Sequence, residues 1–263
     1  MSRWSVRAVD AAELAARAAE LAAFERAFTY PLGNDRFHID HGVDYLAFFR
    51  GLGTPFAHLA ERDGRIVGVL VAVRRQLDGR AVWYVCDLKV ESTASGRDLA
   101  RRLLRTWAAT HVQATDAAFA VSMNAADGSN RLVQLAARCR VAGPIRTTRL
   151  MLFTADHATW TEIAPLLGGE LGPLGFHDPR GTKDIVLASS GTAMPLLHLQ
   201  HGPWARSARV PARPGAVHMF CLPEAHGLVA GLGRAGVVPS SSATVLHRHL
   251  DGVDWVKLST SDI

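Results

Sequence analysis

The sequence predicts an α/β (α+β) protein: a mixed central sheet flanked by helices, with a smaller C-terminal α+β lobe. Two patterns predict it. Residues 56–90 hold three consecutive strand-like runs, separated by Asp63-Gly64 and Asp78-Gly79, which are tight-turn dipeptides. Residues 97–153 then alternate helix, strand, helix and strand, which requires crossover connections. Hairpins followed by crossovers make a mixed sheet rather than a doubly wound one. A chain of 263 residues, 48% of them apolar, can bury one large core or two small ones.

Each element has its own warrant. Residues 4–9 alternate and form a first strand. Residues 11–28 are alanine-rich, with Leu14, Leu21 and Phe24 as larger apolar side chains, and form a helix. Residues 31–41 form a polar loop holding Asn34, Asp35, Arg36, His38, Asp40 and His41. Tyr45, Phe48, Phe49 and Leu52 recur at helical spacing, so residues 44–52 form a second short helix. Strands follow at 56–62, 66–75 and 81–90, the last apolar enough to be central and buried. In residues 97–110, Leu99, Leu103, Leu104 and Trp107 make one stripe, while Arg101, Arg102 and Arg105 mostly lie on other faces. A strand at 117–123, a helix at 132–139 capped by Ser129 or Asn130, and a strand at 145–153 complete this half. The order to residue 155 is β-α-α-β-β-β-α-β-α-β.

The second half is patterned more weakly. A helix is expected at 158–166, strands at 184–188, 196–200 and 218–222, and a helix at 224–232. The Arg- and Pro-rich stretch 204–216 is a loop, and 243–250 with 253–259 form a closing hairpin around Asp251-Gly252. The domains expected are therefore residues 1–155 and residues 156–263.

Composition narrows the function classes. Net charge is +5, and only Lys89, Lys183 and Lys257 are lysines, so 29 − 3 = 26 of the basic residues are arginines. With the many alanines, this is the composition of a GC-rich genome rather than a nucleic-acid surface, although a modest positive field still favours an anionic ligand. Cys86, Cys139 and Cys221 have neither disulfide-framework nor metal-ligand spacing. Residues 1–5 lack an apolar signal core, and apolar runs such as 66–73 are too short to span a bilayer. A soluble, cytoplasmic bacterial protein is expected, with no nucleic-acid or membrane partner.

The most informative stretch runs from Asp87 through Leu88, Lys89, Val90, Glu91, Ser92, Thr93, Ala94, Ser95, Gly96, Arg97, Asp98, Leu99 and Ala100 to Leu104. A buried strand, a polar loop with glycine and a helix N-terminus can aim free amides at an anion. This stretch resembles the diphosphate loop of the GCN5-related N-acetyltransferases. Leu88 and Val90 match that family's strand, Gly96 its glycine and Ala100 its last loop position. Ser95 stands where the family has Arg or Gln, and Asp98 where it has a second glycine. The element order of the first 155 residues agrees with that fold.

The resemblance implies an acyl-CoA co-substrate, acetyl-CoA or another acyl-CoA, and no metal. Leu88, Lys89 and Val90 would pair with its pantetheine arm; Ser95, Gly96, Arg97, Asp98, Leu99, Ala100 and Arg101 would surround its diphosphate. The Asp98 carboxylate repels a diphosphate unless it turns away, bonds its own helix amides or is offset by Arg97 or Arg101. Amine acylation needs a base and an acid. Asp87 and Glu91 are the carboxylate candidates, and burial should raise the Asp87 pKa. The helix 132–139 lacks the family's usual tyrosine acid, which leaves Tyr84 as an alternative donor. The resemblance also puts the first two helices beside the acceptor. Arg36, His38, Asp40, His41 and Tyr45 would then contact it, and His38, Asp40 or His41 could orient a polar acceptor or serve as base.

Other signals are weaker. Gly231 to Gly236 matches G-x-G-x-x-G, but a helical pattern precedes it, so glycines ending a helix explain it better. His198, His201, His247 and His249 are expected to be structural or exposed. The C-terminal lobe resembles either a partial acetyltransferase-like repeat or a plain appended α+β lobe, and either could cover the acceptor or form a homodimer surface. The expected function is acetyl transfer to a small-molecule or peptide amine by direct attack. The alternatives are a non-catalytic ligand- or partner-binding relative and transfer of a longer acyl chain.

Overall fold

A computed structural model describes residues 4–32, 35–92, 96–113, 115–138, 144–205 and 209–263. Asn34, Ser95 and Cys139 lie outside the described residues. The elements run β1 (Trp4–Val9), α1 (Ala11–Ala16), α2 (Ala18–Arg26), β2 (Tyr30–Leu32), β3 (Asp35–Asp40), α3 (Ala47–Arg50), β4 (Thr54–Arg62), β5 (Arg65–Leu77), β6 (Arg80–Val90) and α4 (Gly96–His111). They continue as β7 (Ala118–Met123), α5 (Arg131–Arg138), β8 (Arg146–Ala155), α6 (His157–Leu171), β9 (Gly175–His177), β10 (Asp184–Leu187), β11 (Leu196–Gln200), β12 (Val217–Pro223), α7 (Gly227–Arg234) and β13 (Ser241–Arg248). Mixed sheet flanked by helices is the observed class. No helix among the described residues is long and apolar enough to cross a membrane.

The chain forms two compact units, and it alternates between them. Met1–Ala120, Leu135–Pro144 and Arg180–Ala193 make the first; Val121–Gln134, Ile145–Pro179 and Met194–Ile263 make the second. A cut after residue 155 falls inside the second unit.

In the first unit, β1, β4, β5 and β6 pair antiparallel in that order, and β6 pairs in parallel with the start of β7 at Trp83–Ala118, Tyr84–Phe119 and Val85–Ala120. Helix α4 packs on this sheet, where Leu99, Leu103 and Trp107 meet Ala60, Val67, Leu70, Ala72 and Trp83. Burying such side chains stabilises the unit by about 1.5–3 kcal/mol each. The expected 11–28 helix is two helices, broken at Arg17, whose backbone leaves the helical region. Its guanidinium instead ties Glu20, Glu61 and the Gly64 carbonyl together.

Residues 31–41 are not a loop. Strands β2 and β3 form a hairpin, and β10, distant in sequence, adds to β3 with Asp184, Ile185, Val186 and Leu187 opposite Asp40, Ile39, His38 and Phe37. Phe37 pairs with Tyr30 across the hairpin, their ring centroids 5.4 Å apart. Arg36, His38 and Asp40 take one face of the strand and Phe37 and Ile39 the other. The second short helix shrinks to one turn, α3, although Tyr45, Phe48, Phe49 and Leu52 are buried as its spacing suggests.

In the second unit, β8 lies antiparallel between β13 and β12; β12 is parallel to β11, and β11 antiparallel to β9. Helices α6 and α7 bury Trp160, Ile163, Leu167, Leu228 and Leu232 against Phe153, Phe176 and Phe220. Asp156 caps α6 through the Thr159 amide, and Asn130 caps α5 through the Leu132 and Val133 amides. Helix α7 ends at Arg234, followed by Gly236 at φ +78°, so the glycine run terminates a helix. The expected strand 253–259 is absent. Asp254 and Ser259 each accept a backbone amide two residues on and start 3-10 turns at Trp255–Lys257 and Thr260–Asp262. His198 and His201 have structural partners, the Thr260 hydroxyl and the Val256 carbonyl, both at 2.9 Å.

Candidate active site

Strand β6 carries the turning point. Trp83 and Val85 face α4, as do Leu88 and Val90. The parity changes because the β5–β6 register skips: Ala72 opposes Val85 and Val71 opposes Asp87, which leaves Cys86 as a bulge. A regular strand would have put Asp87 and Lys89 on the Trp83 face, inside the α4 core. The bulge turns both onto the opposite face, toward α2.

Five side chains close a hydrogen-bonded chain there. Tyr45 donates its hydroxyl proton to Asp87 Oδ2 at 2.5 Å. Lys89 Nζ donates to Asp87 Oδ2 and to Glu25 Oε1, both at 2.8 Å. Glu25 Oε1 also lies 2.8 Å from His41 Nδ1. The His41 ring sits among Tyr45, Phe48 and Phe49, with centroids 5.0, 6.0 and 5.0 Å away. Glu25, His41, Tyr45 and Lys89 are each 5% exposed or less. Ions this buried survive only when paired and hydrogen-bonded.

The electrostatics overturn one expectation. Burial alone would raise the Asp87 carboxyl, but Lys89, His41 and the Tyr45 hydroxyl outweigh it and hold Asp87 below the usual carboxylate range. Burial would lower Lys89, yet Asp87 and Glu25 raise it. Both shifts favour the charged pair. Burial, Asp87 and Glu25 push the Tyr45 phenol well up. Asp87 is therefore a fixed anion rather than a base tuned toward neutral pH.

Sequence reasoning named Asp87, Lys89, His41 and Tyr45 for separate roles, and the fold brings them together. It missed Glu25. The signal was present: Leu21, Phe24 and Glu25 fall at i, i+3 and i+4, so a carboxylate sits on the apolar stripe of α2.

The other candidates lie elsewhere. Tyr84 is buried and stacks on Phe119 at 4.4 Å, a packing position. Glu91 pairs with Arg65 at the surface end of β6. Arg36 bonds the Thr29 hydroxyl and carbonyl, Asp40 accepts the Gly42 amide, and His38 sits half-buried in β3 opposite Val186. Leu88 and Val90 pair with Leu70 and Gly68 of β5. Leu99 and Ala100 bury their side chains, so only their backbone could meet a ligand. Ser95 is outside the described residues; Gly96 and Arg97 open α4. The Asp98 carboxylate is exposed and takes Arg101 at 3.0 Å.

Donor atoms of Glu25, His41 and Asp87 lie within 4.8 Å of one another, as metal ligands would. The Lys89 ammonium bonds both carboxylates and already supplies the cation that such a set would hold.

No protein-family model matches the chain, and no curated protein matches it. Solved structures do. A GCN5-related glucosamine N-acetyltransferase region of a fungal multi-domain GH3 β-N-acetylglucosaminidase matches with a TM-score of 0.53 at 11% identity, over 94% of this chain and 38% of that one. The chain thus spans well under two thirds of that protein. A tandem GNAT protein from the clavulanic acid biosynthesis pathway aligns at 13% identity with a TM-score of 0.47, over 94% of this chain and 98% of that one.

Proposed function

Because the chain has the fold of the GCN5-related N-acetyltransferases, we propose that it is an acyl-CoA-dependent N-acyltransferase. It passes an acetyl group from acetyl-CoA to a small-molecule or peptide amine by direct attack. One observation carries this reading. Strand β6 runs toward the N-terminus of α4 and also presents Asp87 and Lys89 to a network ending in His41. One strand therefore links an anion-binding helix start to a proton-handling group.

The chemistry follows from the partners. With the Nδ1 proton of His41 given to Glu25, Nε2 is left as the acceptor. The acceptor ammonium loses its proton to Nε2, its nitrogen attacks the thioester carbonyl carbon, and the C–S bond breaks to release the CoA thiolate. Two carboxylates against one ammonium leave one negative charge, which a proton on His41 or an incoming ammonium offsets. Asp87 and Lys89 act as positioning residues. Helix α5 has no tyrosine and Tyr45 gives its proton to Asp87, so the second proton on the attacking nitrogen reaches the thiolate through water, leaving the neutral amide and the CoA thiol. The first-turn amides of α4 suit the CoA diphosphate, with the charge of Asp98 offset by Arg101.

Titration calorimetry with CoA and acetyl-CoA is the first test, and no heat of binding with either would sink the proposal. Thiol release across an amine panel is the second. His41→Gln should cut turnover by about 100-fold or more while leaving CoA affinity unchanged. An unaltered rate would remove His41 from the mechanism. Binding without thiol release for any amine would favour the non-catalytic reading, which the low pKa of Asp87 and the packed Tyr84 also suit.

A further inference from the structure

The candidate base is 3% exposed, so little of its ring meets solvent in this conformation and an acceptor gains room at it when a covering element moves. The surrounding elements are not equally free to do so. Glu25 rides on α2, which is anchored by Leu21 and Phe24; Asp87 and Lys89 belong to a central strand; Phe48 and Phe49 are core residues. The segment Arg180–Ala193 is different. It belongs to the first unit, while the residues on both sides of it belong to the second. Within it, β10 is a four-residue edge strand of the β10-β3-β2 sheet.

This segment lies directly beside His41. A Cβ on Gly42, the next residue, would stand 2.8 Å from the Gly181 carbonyl oxygen, so the bare glycine lets the two backbones touch. Lys183 places its ammonium 4.6 Å from the centroid of Phe48, one of the rings around His41. The same ammonium lowers the pKa of Cys86 against a larger rise from burial, which sets it within electrostatic reach of the β6 bulge. Gly181 and Gly191 bracket the strand at φ +78° and +66°, both with open space where a side chain would be. Such positions absorb backbone rotation with little steric cost.

We infer that Arg180–Ala193 is a strap that opens and closes over His41, latched by Lys183 on Phe48. The strap resting on β3 is a reading of the fold; its role in admitting the acceptor rests on the acyltransferase reading above.

A reversible lock separates the two. Ala188 donates its amide to the Arg36 carbonyl at 2.7 Å, so the 188/36 pair is of the bonded type. Pairs alternate along an antiparallel ladder, which makes Ile185 and Ile39 a non-bonded pair with close side chains, suited to a disulfide. The full-length Ile39→Cys/Ile185→Cys variant, oxidised or reduced, is treated with diethyl pyrocarbonate, and His41 modification is read by peptide mass spectrometry. Labelling should be about tenfold or more slower when oxidised and recover with reductant. Equal rates in the two forms would overturn the strap. Lys183→Met should label faster than the unmodified chain; a slower rate would count against the latch. If oxidation slows labelling yet no form acetylates an amine, the strap stands and the acyltransferase reading falls. If acetylation proceeds and oxidation changes neither rate, the strap falls and the reading stands. Hydrogen exchange on the unmodified chain is independent of the crosslink. Amides of β10 should exchange faster than those of β5, and equal protection would overturn the proposal.

Discussion

Lys89 is one of three lysines beside 26 arginines, and it is one of the most buried cations in the chain. A compact ammonium on a flexible stem can sit between two carboxylates where a planar guanidinium would not. Removing it leaves Asp87 and Glu25 buried against each other. Lys89→Met should therefore destabilise the chain by about 3–5 kcal/mol, read from chemical denaturation. Adding Glu25→Gln should recover part of that loss, because one orphaned charge is removed with it. If the double variant is as unstable as the sum of the singles, the pair is not coupled as its distances imply. At this scale the sequence was readable in part. Asp87, Lys89, His41 and Tyr45 stood out as polar residues in or beside apolar segments. Their convergence was not readable, because it depends on one extra residue, Cys86, in a ladder whose register no local pattern records.

Helix α4 shows how an element can be legible while its chemistry shifts. Its apolar stripe predicts both its limits and its packing. What the stripe does not predict is where Asp98 points. Since Asp98 pairs with Arg101 in solvent, it carries no large unscreened charge. Asp98→Asn should accordingly change CoA affinity by less than about threefold. A tenfold gain by calorimetry would mean the carboxylate faces the diphosphate after all. Elements set by local pattern, such as β4, β5, β6 and α4, are where the sequence puts them. Elements set by distant partners are not. Residues 35–40 became a strand because β10 pairs with Phe37–Asp40 from beyond residue 180, beside the hairpin with β2. The 11–28 helix breaks because Arg17 is drawn to Glu61 across the fold. Residues 253–259 look like a strand, yet Asp254 and Ser259 cap turns there, a local signal that prevails over the apolar alternation around them.

Across the whole molecule, buried histidines are the common electrostatic burden. His58 and His111 in the first unit lie 5.6 Å apart, ring to ring, and burial lowers both, with His111 further opposing a charge on His58. His58 is pushed down to about 4. His201, His218 and His247 in the second unit are lowered by burial as well. A histidine depressed in the fold binds fewer protons than in the unfolded chain, so stability is fully present above the unfolded value near 6.5 and is lost as pH falls. For His58 the window is pH 6.5 down to about 4. Within it, one neutral histidine contributes a slope of about 1.4 kcal/mol per pH unit. Asp87, held below the usual carboxylate range, adds its own loss only at lower pH. Acid destabilisation between pH 6.5 and 5 should thus come from histidine. Among the described residues His58 Nδ1 has no hydrogen-bond partner, so His58→Leu removes a proton acceptor without orphaning another group. Urea midpoints at pH 7.5 and pH 5 test this. The unmodified chain should lose more between the two than His58→Leu does. Equal losses would show that His58 is already charged or already exposed in the fold.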